Sequence, residues 1–314
     1  EVITIRPKIG LALSGGGAKG IAHLGVLKAL EERHIPIDMI SGVSAGSIVG
    51  ALYADGHSYD ELLDFFQRCN LFQMVSLNLP KYGGFATMKG FRDSLKELLQ
   101  AKKFEDLKIP TIINATDMSN GRNVYFSSGD LLDCIIASST VPIFFRPTKI
   151  KGKLYIDGGI FCNLPAEILR KNNCDIVIGV HVNPINNIDD AMGLMDVAER
   201  VFHLSVNGNT IEQKKHCDIV IETMKAKEFG MFDSSKAADI MKIGYDTFRK
   251  MVQKWEGCKN PYLNYEYLFF DCTDIIERPC VKFSGLIWGD VDCEEDFVRL
   301  KNYIEIRCAD SMPI

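Results

Sequence analysis

The sequence predicts an α/β fold: a three-layer sandwich with a mostly parallel central sheet, helices on both faces and a small C-terminal appendage. Three observations carry this. Short, nearly continuous apolar runs such as residues 9–14 (IGLALS) and 175–182 (DIVIGVHV) have the pattern of strands buried on both faces. Between such runs lie segments whose apolar residues recur at helical spacing. Strands that alternate with helices build a parallel sheet, because each crossover lays a helix against one face.

The elements follow in order. Residues 19–34 put Ile21, Leu24, Leu27 and Leu30 at helical spacing, and residues 35–40 contain a proline and lead into a second strand. Residues 45–54 are again helical. SYDELLDFFQRC starts with Ser58 and carries Glu61 three residues on, a capping-box pattern, with Leu62, Phe65 and Phe66 as the apolar face. Residues 71–88 mix apolar side chains with Pro80, Gly83 and Gly84, and two readings stand: a loop packed on the core, or a flap over an apolar cleft. Residues 90–101 are an amphipathic helix, 110–115 a strand, and DMSNGRNVYF a hairpin around Asn120-Gly121. Residues 131–139 are helical until Val141-Pro142 breaks the pattern, and TKIKGKLYIDGG turns at Lys151-Gly152. Asn163 and Pro165 suit the start of a short helix. A strand at 175–182, a helix at 190–210, a short strand at 218–222 and a helix at 234–255 complete the domain, residues 1–256. The tail, 257–314, holds five of the ten cysteines and loses the helix–strand rhythm. Strand segments around 265–270 and a helix near 294–304 are expected there, and its role is unreadable.

Composition excludes several classes. The chain has 314 residues, 46% hydrophobic and 25% charged, which is ordinary globular composition. A net charge of −5 without a strong basic block argues against nucleic acid as a partner. No run approaches the length of a membrane span. The chain begins at Glu1 with no signal-peptide pattern, which leaves a trimmed leader open. The cysteines form no CxxC pair, so zinc spacing is absent and no metal is expected. Several sit in strand-like runs as small hydrophobes, and free buried thiols favour a reducing, cytoplasmic compartment.

Two turns carry chemistry. In GLALSGGGAKGIAHLGVL the pattern Gly15-x-Gly17-x-x-Gly20 follows a strand and opens a helix. It is either a dinucleotide turn or a cradle of backbone amides for another anion. Next, DMISGVSAGSIVGALY places Gly42-Val43-Ser44-Ala45-Gly46 between a strand and a helix, the setting of a nucleophile elbow. A sharp turn there lifts the Ser44 hydroxyl above the sheet edge and aims a helix N-terminus at it. The serine needs a proton acceptor. His34 and His57 sit near helix ends and read as solvated, His23 lies inside the first helix, and His203 and His216 have no motif around them. His181 would give the chain order Ser44…Asp157…His181 of a triad. Asp157 itself, in LYIDGGIFCNLP, ends an apolar strand and precedes Gly158-Gly159, whose amides can approach its carboxylate.

Taken together these blocks closely resemble the patatin-like phospholipase family. Gly15-Gly16-Gly17-Ala18-Lys19-Gly20 resembles its glycine-rich oxyanion loop, Gly42-Val43-Ser44-Ala45-Gly46 its nucleophile motif, Ala137-Ser138-Ser139-Thr140-Val141-Pro142 its Ala-Ser…Pro block, and Asp157-Gly158-Gly159 its aspartate motif. The family often has Asp where Ser14 stands here. The resemblance covers roughly residues 8–255 and excludes the tail. It implies a Ser44–Asp157 dyad without histidine, and Gly15, Gly16 and Gly17 amides facing the oxyanion rather than a pyrophosphate. Lys19, Pro142, Gly158 and Gly159 are the supporting residues. Lys19 either fixes the loop or meets an anionic head group. No cofactor is required by this chemistry.

The implied function is hydrolysis of carboxylic esters of phospholipids or lysophospholipids through an acyl-Ser44 intermediate. An acyltransferase would share the first half-reaction, although carrier transacylases with a serine elbow rely on a histidine. A lipid-binding protein on a decayed hydrolase fold is the non-enzymatic alternative, and intact Ser44 and Asp157 argue against decay. The expected partner is a lipid or acyl-ester substrate, with peripheral membrane contact through residues 71–88. Head group, chain length and oligomeric state are not legible.

Overall fold

Five parallel strands form the spine of the fold: β1 (Ile9–Leu13), β2 (Met39–Val43), β5 (Thr111–Asp117), β10 (Ile176–His181) and β11 (Ile219–Glu222). β3 (Ser76–Leu77), β4 (Gly84–Thr87) and β7 (Ile143–Phe145) form a separate small sheet. The main sheet runs β11-β10-β1-β2-β5-β9-β8, with β8 (Thr148–Ile150) and β9 (Lys153–Asp157) antiparallel at one side, and β6 (Arg122–Phe126) antiparallel on β5. The computed structural model describes residues 6–68, 76–77, 84–185, 193–230, 233–257, 280–283 and 287–290. Most of the expected flap or loop at 71–88 lies outside them.

The two faces of the sheet sort by residue parity, as strand geometry demands. Leu13 and Ile40 face α2 (Ala45–Asp55), where Gly50 lets both side chains approach. Gly10 and Ala12 face the other way, onto Leu169 of α6 (Glu167–Lys171), Leu164 and Cys174. This is the three-layer arrangement expected from the alternation. α2 is apolar nearly all round, with Ile48, Val49, Ala51, Leu52 and Ala54 buried, so it lies inside the unit rather than on its surface. α1 (Ala22–Glu31) is similarly buried. A Cβ added at its Gly25 would stand 2.0 Å from the Met241 carbonyl of α8 (Ala237–Gly257).

Several boundaries shift from expectation for local reasons. Residues 17–21 form a 3-10 turn before α1, because the glycines enter it from Gly17 at φ 57°. After Val141-Pro142 the chain goes directly into β7. The hairpins at Gly121 and at Lys151-Gly152 are present, each with positive φ at the turn. His57, read as solvated, is buried: its Nε2 donates to the Leu98 carbonyl at 3.1 Å and lies 3.4 Å from Asp55. α3 (Tyr59–Arg68), α4 (Lys89–Leu98), α5 (Leu131–Ser138) and α7 (Leu194–Lys214) fall close to the expected spans.

Two compact units make up the chain, Glu1–Phe248 and Arg249–Ile314. In the second, the described residues are the end of α8 and an antiparallel hairpin, β12 (Cys280–Phe283) with β13 (Ile287–Asp290). The strand expected at 265–270 and the helix at 294–304 lie outside the described residues. Among the described residues no helix is long and apolar enough to cross a membrane, and no group of three or more His, Cys, Asp or Glu is arranged to hold a metal ion.

Candidate active site

Sheet register brings the sequence motifs together. Leu13 pairs with Gly42, Val43 with Asn114, and Ala115 with Asp157. The glycine loop after β1, the serine turn after β2 and the aspartate ending β9 therefore leave the sheet along one edge. Ligands of open α/β sheets bind at such an edge.

Ser44 occupies the turn into α2 with φ 53° and ψ −126°, a backbone region that costs a non-glycine residue about 1–3 kcal/mol. The surroundings hold it there. Its amide donates to Ser138 Oγ at 2.8 Å, and Ser138 Oγ donates to the Asn114 carbonyl at 2.6 Å. Its carbonyl accepts from the amides of Ser47 and Ile48. The flanking glycines permit the close approach: a Cβ on Gly46 would stand 2.2 Å from the Leu13 carbonyl, and one on Gly42 2.5 Å from that of Gly46.

Asp157 is 1% exposed. Its amide donates to Thr140 O, its carbonyl accepts from Thr116 Oγ1, and Oδ1 accepts from the Gly159 amide at 2.8 Å. Asn114 Nδ2 donates to the carbonyls of Gly158 and Cys162 and locks the turn that follows. Oδ2 is buried without a fully formed hydrogen bond. The Ser44 hydroxyl is nonetheless close enough to act on the carboxyl. Burial pushes the Asp157 pKa up from 3.8 to about 6, against the lowering pull of the Ser44 hydroxyl and the Gly159 amide.

The three candidate oxyanion glycines differ in how their amides are engaged. The Gly15 amide donates to the Asn163 carbonyl at 3.2 Å, so in this structure that donor is already engaged. The missing side chain of Gly15 matters as well: a Cβ there would lie 3.1 Å from Ser44 Cβ and 2.5 Å from Asn163 Oδ1. No acceptor among the described residues takes the amides of Gly16 and Gly17. Lys19 is buried and donates to Asn183 Oδ1 at 2.9 Å, which favours loop fixing over a head-group contact. His23, inside α1, donates from Nε2 to the Ser14 carbonyl at 2.9 Å and pins the entry to the loop.

Ser44 is one wall residue of an apolar cleft. Gly17, Ala18, Ala45, Ile48, Val49, Phe66, Met88, Phe91, Val141 and Phe145 line it. Pro142 is half-buried beside Val141 and turns the chain into β7. His181 stands apart. Its strand lies two positions from β2 and four from β9, about 10 and 19 Å at ordinary strand spacing. Its Nδ1 is 2.7 Å from Glu222, and burial lowers its pKa. The order Ser44…Asp157…His181 therefore has no geometry behind it. Ser138, Asn114 and Asn163 are the site residues that sequence reasoning missed. Ser138 was visible only inside the Ala-Ser block, and Asn163 only as a helix start.

A glycine loop, a strained serine and a buried aspartate at one sheet edge define an α/β protein of the serine-elbow class. Residues 11–170 match the family model for patatin-like phospholipase, and the chain belongs to that family. It is 28% identical over 282 residues to the lysophospholipase NTE1 of Mycosarcoma maydis, covering 79% of this chain and 15% of that protein. It is 29% identical over 288 residues to the human patatin-like phospholipase domain-containing protein 6, covering 79% of this chain and 20% of that one. The chain thus spans about a fifth or less of these relatives. Among solved structures, VipD from Legionella pneumophila aligns with a TM-score of 0.49 at 14% identity, over 80% of this chain and 67% of that one.

Proposed function

We propose that this chain is a serine-dependent lipid acyl hydrolase that cleaves carboxylic ester bonds of phospholipids or lysophospholipids. One observation carries the reading: a buried carboxyl lies against a hydroxyl held at a strained turn that lines an apolar cleft. Ser44 Oγ attacks the ester carbonyl and its proton passes to Asp157. The amides of Gly16 and Gly17 donate to the oxyanion, where one well-placed donor contributes about 3–4 kcal/mol. The departing alcohol takes the proton from Asp157 and leaves acyl-Ser44, which water then hydrolyses. With a pKa of about 6, Asp157 is ionised at neutral pH yet more basic than an ordinary carboxylate. The apolar cleft suits an acyl chain.

The reading is tested by measuring fatty-acid release from phospholipids and lysophospholipids across pH. The expected kcat/KM falls tenfold per pH unit below about 6, as Asp157 gains its proton, and is flat above. A limb centred near 7 that His181→Ala removes would favour a histidine base instead.

In this reading residues 1–256 are the hydrolase domain, 257–314 an appendage, and residues 71–88 meet the membrane surface. Deleting 257–314 should leave short-ester hydrolysis in place. Leu77→Ser with Leu79→Ser should lower co-sedimentation with vesicles, and unchanged binding would remove that contact from the account. The unpaired thiols of Cys134, Cys162, Cys174 and Cys217 suit a reducing, cytoplasmic setting. All four should alkylate in unfolded protein without added reductant.

A further inference from the structure

Asn163 is a buried polar side chain that the mechanism above does not use. It is 3% exposed, and its Nδ2 has no hydrogen-bond partner. Its backbone is fixed at both ends. The amide donates to Asn209 Oδ1 at 2.7 Å and the carbonyl accepts from Gly15. Asn209 Nδ2 in turn donates to Gly159 O at 2.8 Å, so α7, the glycine loop and the Asp157 turn are tied at this residue.

The side-chain amide lies where those segments converge. A Cβ on Gly15 would be 2.5 Å from Asn163 Oδ1 and 3.1 Å from Ser44 Cβ. A Cβ on Gly159 would be 2.9 Å from Asn163 Oδ1 and 3.0 Å from Asp157 Oδ1. The amide is thus neighbour to both members of the dyad. The two side chains are neighbours through their Oδ1 atoms, and the second polar atom of each, Nδ2 of Asn163 and Oδ2 of Asp157, is buried without a full hydrogen bond. A buried donor and acceptor left open in a well-packed core are costly unless a reacting species completes them.

Resting on the hydrolase reading, we propose that Asn163 positions the water that releases the acyl group. Asp157 Oδ2 accepts a proton from this water while Asn163 Nδ2–H donates to its oxygen, which aims the second lone pair at the acyl carbonyl. The water oxygen bonds to the acyl carbon and the bond from that carbon to Ser44 Oγ breaks. The proton held by Asp157 returns to Ser44 Oγ, leaving a free fatty acid and the resting serine. Asn163 thereby acts on the second half-reaction, while the first needs only Ser44, Asp157 and the oxyanion amides.

The test is pre-steady-state hydrolysis of a p-nitrophenyl ester by the full chain, with intact-mass analysis of the quenched protein. Asn163→Leu keeps the approximate shape and removes the donor, and Asn163→Ala removes the side chain. The expected result is a preserved burst of nitrophenol with steady-state turnover at least tenfold slower. A mass increase of one acyl group should then appear on Ser44. Equal loss of burst and steady state, or slow turnover without acyl-protein, would overturn the proposal and leave Asn163 a packing residue. Should Asn163→Ala fail to fold, the Leu variant decides. Ser44→Ala gives neither burst nor adduct if the hydrolase reading holds; a burst from that variant would sink the reading itself, separately from Asn163.

Discussion

Ser44→Ala is expected to lower ester turnover by about 10⁴-fold or more, since removing a serine nucleophile leaves only the contribution of the oxyanion donors and binding. The fold should survive, because alanine fits the same space and no backbone bond of the turn is lost. Ser44 Oγ is the neighbour that lowers the Asp157 pKa, so the variant should carry a carboxyl that titrates above the wild-type value of about 6. Ser44→Gly separates chemistry from strain. It is equally inactive, yet glycine adopts φ 53° freely, so the chain should gain about 1–3 kcal/mol in urea denaturation. If Ser44→Gly is no more stable than Ser44→Ala, the turn is not a store of strain.

Asp157→Asn is expected to lose turnover by about 10³–10⁴-fold, the scale on which carboxylate-to-amide changes act in serine hydrolases. Its effect on stability should have the opposite sign. The folded carboxyl, at about 6, keeps its proton to higher pH than the unfolded one at 3.8, so the native state loses stability as pH rises from about 4 to 6. Asparagine has no charge to bury. Thermal melts should therefore show the variant more stable than wild type at pH 8, by a margin on the order of 2–3 kcal/mol. The margin should vanish near pH 4. An enzyme that is stabilised by losing its base is the usual trade between function and stability.

The parts of this site that were legible in the sequence are those with steric necessity behind them. Gly42 and Gly46 mark the elbow because no side chain fits against the Leu13 and Gly46 carbonyls. Asp157 is marked by two glycines, of which Gly159 donates to its carboxylate and Gly158 lies against Asn114. What sequence could not reveal depends on partners remote in the chain. Gly15 looks like its neighbours, and only the Asn163 carbonyl, far along the sequence, shows that its amide is engaged. Ser138 and Asn114 are ordinary helix and strand residues until register places them under the Ser44 amide. His57 read as solvated because its position at a helix end says nothing of the Leu98 carbonyl that buries with it. The parallel spine followed from apolar runs, whereas the antiparallel side that carries Asp157 followed only from its hairpin turn.

The account rests on a carboxylate alone priming the serine, and one measurement addresses this most directly. Labelling of Ser44 by a fluorophosphonate, followed by peptide mapping as a function of pH, reports the nucleophile without a substrate assumption. The account expects labelling at Ser44 with an acidic limb near pH 6, unchanged in His181→Ala and His23→Gln, and abolished in Asp157→Asn. Labelling that survives Asp157→Asn but fails when a histidine is replaced would contradict it.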